Sequence, residues 1–417
     1  MTVAAFGAPK AQPAMRVILI LLVVSAFINY IDRGNLSVAA PLIKDELGIS
    51  PAQLGILFSS FFWTYACFQI VFGVILDRFD VNWVLAAGFF VWSFATAGAG
   101  MVHSLIAFLV MRAILGVGES AAYPCYSKIL AKRLPEERRG FANALIAAAA
   151  AGGPAFGVFA GGLLMSRVGW RTFFIVFGLA SMAWLAPWIR LMPRTHLTAG
   201  LSQHSYAPTL AHLLRLRCVW GTCAGLFCVN YVSYFLLTWL PFYLVRERHF
   251  SMDGMASISG MSFLISAISS AAAGWLSDRW IAKGRSPTWV RKGFVSCGLT
   301  CAGLFLLSCV AAPTRISVLL LWAGSASYGV CAANVWAITQ TLAGPSAAGK
   351  WTGLQNFIGN LAGVVAPAVT GLVVDRTGRF MTAFIITSAV ASVGACVWTI
   401  LVGRVRALNW DLEALSK

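Results

Sequence analysis

Charge is what this 417-residue chain has least of: 11% of its residues are Asp, Glu, Lys or Arg, where ordinary soluble domains carry about 25%. With 59% of residues hydrophobic, that scarcity excludes a soluble globular fold and leaves a polytopic membrane protein. Acids are the scarcer sign, 14 against 31 bases, for a net charge of +17. Such an excess can serve nucleic acid, but here the cations are spread over short loops without an aromatic-interleaved basic domain, so no nucleic-acid partner is expected. The five histidines sit near loops or the edges of apolar runs. Lacking a deep histidine, an HExxH or a GxSxG, the chain has neither the metal cluster nor the nucleophile and base of a membrane-embedded enzyme. The ten cysteines form no CxxC pair and lie in or beside apolar runs, which marks them as small hydrophobes rather than disulfides or metal ligands. A convincing signal-peptide cleavage site is absent too, so the first apolar run is expected to act as its own insertion signal. No soluble signalling domain suggests a sensor.

What is present is a series of apolar runs, each near the roughly 20 residues that a helix needs to cross a bilayer. They are unbroken, whereas barrel strands would be alternating stretches of roughly ten residues. The expected fold class is an all-α membrane protein with twelve transmembrane helices in two six-helix halves. The predicted spans are 15–38, 54–77, 83–102, 105–128, 140–165, 171–191, 218–245, 255–277, 293–312, 315–343, 350–374 and 381–403.

Two internal echoes give the organisation. GVILDR at Gly73–Arg78 recurs as GWLSDR at Gly274–Arg279, an offset of 201, and GLLMSRVG at Gly162–Gly169 recurs as GLVVDRTG at Gly371–Gly378, an offset of 209. The chain therefore reads as a duplication: an N-terminal six-helix bundle over 1–192, a cytoplasmic linker over 193–217, and a C-terminal six-helix bundle with a short tail over 218–417. Parallel halves of this kind suit alternating access about a site near the midplane. Of the 31 bases, 21 fall on the side that holds both termini and 8 on the other, which by the positive-inside rule makes that side cytoplasmic.

Sorting the charges leaves two acids deep in the spans, Asp32 and Glu119, and two bases, Arg33 and Arg112. A charge at the bilayer centre costs at least about 2.5–3.5 kcal/mol, so it is normally paired, turned inward and functional. Asn29, Asp32 and Arg33 share one side of the first span at i, i+3 and i+4. Arg112, Gly116, Glu119 and Tyr123 follow the i, i+4, i+7, i+11 stripe of the fourth. The plain alternatives are ion pairs that only fix helix packing, Arg112 doing no more than holding Glu119, or a first span that ends early and leaves Asp32 at the water interface. The functional reading goes by residue type. The planar fork of Arg33 suits the oxygens of a carboxylate or sulfonate. A carboxyl shielded from water holds its proton more tightly and a neighbouring cation loosens it, which would link an anion at Arg33 to protons at Asp32 and Glu119. Tyr30 and Tyr65 can offer hydroxyl donors. The second half offers neutral groups: Asn230, Tyr231 and Tyr234 on span 7, and Gln355, Asn356 and Asn360 on span 11. Buried amides also simply tie helices together, at about 0.6 kcal/mol each.

Four stretches, NYIDRGNLSVAAP, WTYACFQ, RAILGVGESAAYP and NFIGNLAGVVAP, resemble in order the motifs of the anion:cation symporter family within the major facilitator superfamily. GVILDR matches the superfamily's GxxxDR loop signature, and the chain departs from that signature at Phe79, Asp80 and Asn82. The resemblance covers nearly the whole chain. It implies a secondary active transporter that imports a small organic anion with H+ by alternating access, driven by the proton gradient with no cofactor or metal. An exporter, an antiporter or an uncoupled facilitator would use the same fold. The implied setting is the lipid bilayer of the cell inner membrane, with a monomer as the working unit. By residue, the resemblance implies Asp32 and Glu119 as proton carriers, assisted by Arg112, and Arg33 as the substrate base. Tyr30, Tyr65, Asn230, Tyr234, Asn356 and Asn360 are the pocket candidates, and Gly73, Asp77, Arg78, Asp278 and Arg279 the gating loops. The family carries hexonates, hexuronates, glucarate, aromatic acids and small sulfonates. Its sugar-acid carriers tend to place polar side chains in mid span 5, where this chain reads NALIAAAAAGGPAFG. Either small residues there serve close packing, or the substrate has fewer hydroxyls: a short sulfonate, a dicarboxylate or an aromatic acid.

Overall fold

The computed structural model describes residues 13–133, 136–191, 208–408 and 410. Fifteen helices and no strand occur among them. The first half holds α1 (Pro13–Leu47), α2 (Pro51–Arg78), α3 (Val81–Ala99), α4 (Leu105–Ser120), α5 (Ala122–Arg133), α6 (Glu136–Val168), α7 (Trp170–Met182) and α8 (Leu185–Leu191). The short α9 (Leu210–Leu213) precedes the second half. There follow α10 (Arg217–Arg246), α11 (Met252–Ala282), α12 (Pro287–Ala311), α13 (Thr314–Asn360), α14 (Ala362–Thr377) and α15 (Met381–Ile400). Among the described residues eleven helical stretches are long and apolar enough to cross a membrane, and α2, at 28 residues, completes the twelve predicted. Most of the predicted linker and the last residues of the chain lie outside the described residues.

Polar caps stop and start the helices where the apolar runs end. Ser50 and Gln53 close a capping box at the start of α2, with Pro51 at its first position, and Ser104 and Ser251 accept from the first turns of α4 and α11. Such caps satisfy amides that would otherwise face apolar surroundings unpaired. α1 continues well past the predicted end at 38, so Asp32 lies in mid-helix and is 3% exposed; it is not at a water interface. α13 joins the predicted spans 10 and 11 through Gly344, whose φ of 61° turns the chain back. That left-handed conformation costs glycine nothing.

The GxxxDR signatures do not form loops. Arg78 is the last residue of α2, and Asp278 and Arg279 lie inside α11. The connection after α2 is only Phe79 and Asp80. Phe79 caps α2 by donating its amide to the Ile75 carbonyl, and Asp80 caps α3 by accepting from the Asn82 amide at 2.7 Å. Residues 79 and 80, where the chain departs from the signature, thus serve as helix caps. Asp278 faces Arg291 of α12 at 3.9 Å, and the Arg279 guanidinium lies 5.1 Å from the Trp275 ring centre. The side chains at Gly73 and Asp77 are outside the described residues.

The duplication is visible in three dimensions. α2 crosses α14 and α6 crosses α11, and these crossings, with α1 against α10, join the halves. A Cβ added to Gly55 would lie 2.5 Å from the Pro367 carbonyl oxygen and 3.1 Å from the Gly371 Cα. At the equivalent point of the other crossing Gly162 presses on Ala256. Gly162 and Gly371 are related by the offset of 209, Gly55 and Ala256 by 201. These contacts lie toward the face at which α1 ends, here termed distal; the face at which α1 begins is termed proximal. On the distal face Asp45 pairs with Arg246 and Ser166 donates to Asp253 at 2.8 Å, both across the two halves.

Candidate substrate and proton site

α1 and α4 bring Arg33 and Glu119 together in the interior of the first half. The Arg33 Nε lies 3.3 Å from Glu119 Oε2, with side chains 8% and 0% exposed. Gly116, one turn before Glu119, lets α4 pack closely on α2: a Cβ there would sit 2.4 Å from the Phe61 carbonyl oxygen, so any larger residue would push α2 and α4 apart. Asp32, adjacent in sequence to Arg33, points elsewhere and accepts from Thr96 Oγ1 of α3 at 3.1 Å. The carboxylate paired with Arg33 is therefore Glu119.

Arg112 is 6% exposed, yet no ion pair within 4 Å joins it to Glu119. Its guanidinium lies 5.1 Å from the Phe61 ring centre, and Glu119 and Arg112 act on each other through space rather than by direct contact. Each of the four deep charges keeps one buried atom without a hydrogen-bond partner: Asp32 Oδ2, Arg33 Nη2, Arg112 Nε and Glu119 Oε1. Leaving a buried polar group unpaired costs about 1–3 kcal/mol, and more for a charged one.

The rings of Tyr30 and Tyr65 both lie against Arg33. The Arg33 Cζ lies 4.5 Å from the Tyr30 ring centre, 4.7 Å from Tyr65 and 5.2 Å from Phe61. Cation–π contacts are worth about 2 kcal/mol each when desolvated. The Tyr30 hydroxyl is 3.1 Å from that of Tyr123. Across the interface, Phe62 of α2 packs edge-on against Tyr234 of α10 at 4.5 Å. The Tyr234 hydroxyl donates to Asn360 Oδ1 at 2.6 Å, and the Asn360 amide donates to the Asn356 carbonyl at 2.9 Å. Asn230 reaches the same region, 3.1 Å from where a Cβ on Gly359 would stand. Gln355 is fully buried and accepts from Thr339 Oγ1 at 2.6 Å, within the second half.

Sequence reading missed Thr96 and Phe61, since one threonine or phenylalanine in an apolar run carries no signal until helix neighbours are known. It also passed over an echo. Asn29-Tyr30-Ile31-Asp32-Arg33 recurs at the offset of 201 as Asn230-Tyr231-Val232-Ser233-Tyr234. Tyr234 thus occupies in the second half the position of Arg33 in the first, and the charges of span 1 are replaced there by neutral groups. In span 5 the structure supports close packing: a Cβ on Gly153 would meet the Tyr30 Cβ at 2.6 Å, and one on Gly157 the Ile31 carbonyl oxygen at 2.9 Å.

Comparison with known proteins agrees with this architecture. The chain is 29% identical over 394 residues to the hexuronate transporter of Bacillus subtilis, covering 90% of this chain and 91% of that one. It is 30% identical over 385 residues to the "Probable sulfoacetate transporter" of Cupriavidus necator, covering 88% and 89%. Among solved structures it superposes on a bacterial homologue of the human lysosomal transporter Spinster with a TM-score of 0.82, at 16% identity, covering 94% and 98%. The Major Facilitator Superfamily pattern matches residues 22–367. The protein is accordingly a membrane transporter rather than an enzyme, and the chain belongs to the Major Facilitator Superfamily.

Proposed function

We propose that the protein imports a small organic anion together with protons, by alternating access of its two halves. The observation that carries this reading is the buried Arg33–Glu119 pair, wrapped in aromatic rings and close to Tyr234 and Asn360 of the other half. A lone buried cation or carboxylate would be very costly, and removing one partner of such a pair typically costs about 3–5 kcal/mol. The pair can therefore be opened cheaply only by exchange. A proton arriving at Glu119 releases Arg33, the anion takes the place of the carboxylate, and the site is again neutral. Its charge then presents no barrier to the rocking of the halves, and loss of the anion followed by the proton restores the pair. Asp32, held by Thr96 on the far side of α1, is the second proton group, and Arg112 biases both acids from α4. The names of the relatives support an organic acid as cargo.

The excess of bases on the side of the termini supports a proximal face in the cytoplasm of the cell inner membrane. With that orientation the distal contacts of Asp45, Arg246, Ser166 and Asp253 close the outer side. In sealed proteoliposomes, adding substrate outside should acidify the lumen, read by a trapped pH-sensitive dye. Substrate uptake with no lumenal pH change would rule out proton symport.

A further inference from the structure

On the distal face the two halves make the same ties with different residues. The acid is shared: Glu46 at the end of α1 and Glu247 just past the end of α10 are related by 201. Each ties that end to the start of the last span of its half. Glu46 accepts from Trp170 Nε1 and Arg171 Nε of α7, both at 2.6 Å, and Glu247 accepts from the Phe380 amide before α15 at 2.8 Å. Arg171 and Phe380 are related by 209. The arginine is not shared. Arg171 also donates to the carbonyls of Gly100 and Val102, just past the end of α3, at 3.1 and 2.5 Å. In the second half the carbonyls of Cys309, Val310 and Ala312, at the end of α12, accept instead from Arg248 at 2.7, 2.9 and 3.0 Å. Arg248 stands where the first half has Leu47. A helix end leaves carbonyls unpaired, and one guanidinium fork can serve several of them. The turn that presents Arg248 is held at a cost: His249 has a φ of 56°, where its counterpart Gly48 has 62°, a conformation that glycine adopts freely and histidine does not. The same tie is thus made twice from unrelated positions, which common descent of the halves does not explain. Between the two ties lies the pair that joins the halves. Asp45 precedes Glu46, Arg246 precedes Glu247, and Arg246 also donates to the Pro41 carbonyl of α1 at 3.3 Å.

We propose that Arg171 and Arg248 are positioning residues of the distal closure: with Glu46 and Glu247 they lock three span ends of each half into one block, so that Asp45 and Arg246 meet already oriented. An exposed ion pair gains little because it must order two long side chains, and holding their backbones in advance removes part of that cost. This rests on the reading of alternating access. Labelling of a distal reporter cysteine by a membrane-impermeant maleimide, on the full-length protein in proteoliposomes, tests it, with Asp45→Arg and Arg171→Gln made singly and together. Asp45→Arg should raise labelling by no more than about fivefold, the limit that an exposed pair sets. Arg171→Gln should raise it similarly, and the double variant should fall short of the product of the two. Arg171→Lys, which keeps the charge but not the fork, should behave as Arg171→Gln does, and Arg248→Gln should repeat the result from the other half. Labelling no higher than wild type in either glutamine variant, whatever its Tm, would make the arginines plain struts and overturn the proposal. So would a double variant that reaches the product of the singles. Wild-type labelling in Asp45→Arg would remove the closure that the arginines are said to serve, and with it the proposal, while leaving proton coupling at Glu119 to its own measurement.

Discussion

At the scale of single residues, the four deep charges were legible in the sequence because an ion inside an apolar helix is expensive and so stands out against its surroundings. Who pairs with whom was not legible. Asp32 and Arg33 are neighbours in sequence, but consecutive residues on a helix diverge by about 100°, as its 3.6-residue turn dictates, and the structure sends one to α3 and the other to α4. Thr96 supplies the hydrogen bond shown for Asp32 Oδ1, at 3.1 Å. Thr96→Val, nearly isosteric, removes that donor, and a lost hydrogen bond to a charged acceptor is worth about 1.5–3 kcal/mol. The expected outcome is a displaced pH optimum of transport with expression retained, and a normal profile in Thr96→Ser. A pH profile identical to wild type in Thr96→Val would remove Asp32 from the proton route.

At the scale of helices, existence and order followed directly from apolar length, while ends and contacts did not. α1 runs past its predicted end because Leu42 and Ile43 extend its apolar face, and α13 runs through a turn because Gly344 can adopt φ of 61°. The small-residue stretch of span 5 was ambiguous in sequence between packing and specificity. The 2.6 Å approach of a Gly153 Cβ to Tyr30 shows packing, and it places α6 directly behind a ring that faces Arg33. Gly153→Val should therefore lower thermal stability, since overpacking costs about 1–3 kcal/mol, and raise the KM for substrate by displacing Tyr30. Gly353→Ala, where nothing lies within 4 Å, should leave both unchanged. Equal Tm and KM in the two variants would contradict this packing.

At the scale of the whole molecule, the two sequence offsets proved to be a geometric relation. Asp45 and Arg246, 201 residues apart, are equivalent positions of the two halves that carry opposite charge and pair with each other on the distal face. Residues that meet their own counterparts lie beside the axis relating the halves, so this pair reports directly on whether the distal side is shut. It is solvent-exposed, 38% for Arg246 and 59% for Asp45, and exposed pairs contribute about 0–1 kcal/mol. Breaking it should thus bias the open–closed equilibrium only a few-fold, the apolar crossings at Gly55 and Gly162 carrying most of the closure. Asp45→Arg should increase labelling of a distal reporter cysteine by that factor, and Asp45→Arg with Arg246→Asp should restore it. Failure of the swap to restore labelling would deny the pair any part in closing.

The same duplication bears on where the proposed coupling would reside. The first half keeps Asp32, Arg33, Arg112 and Glu119, and the second half replaces the aspartate and arginine of span 1 with Ser233 and Tyr234. In the proposed mechanism Glu119 is the place where proton and anion compete for one guanidinium. The most direct measurement compares wild type and Glu119→Gln in proteoliposomes, for uphill uptake under an imposed pH gradient and for substrate exchange at equal pH. The account expects Glu119→Gln to lose uphill uptake and lumenal acidification while still exchanging substrate. Undiminished proton-driven accumulation in Glu119→Gln would contradict it.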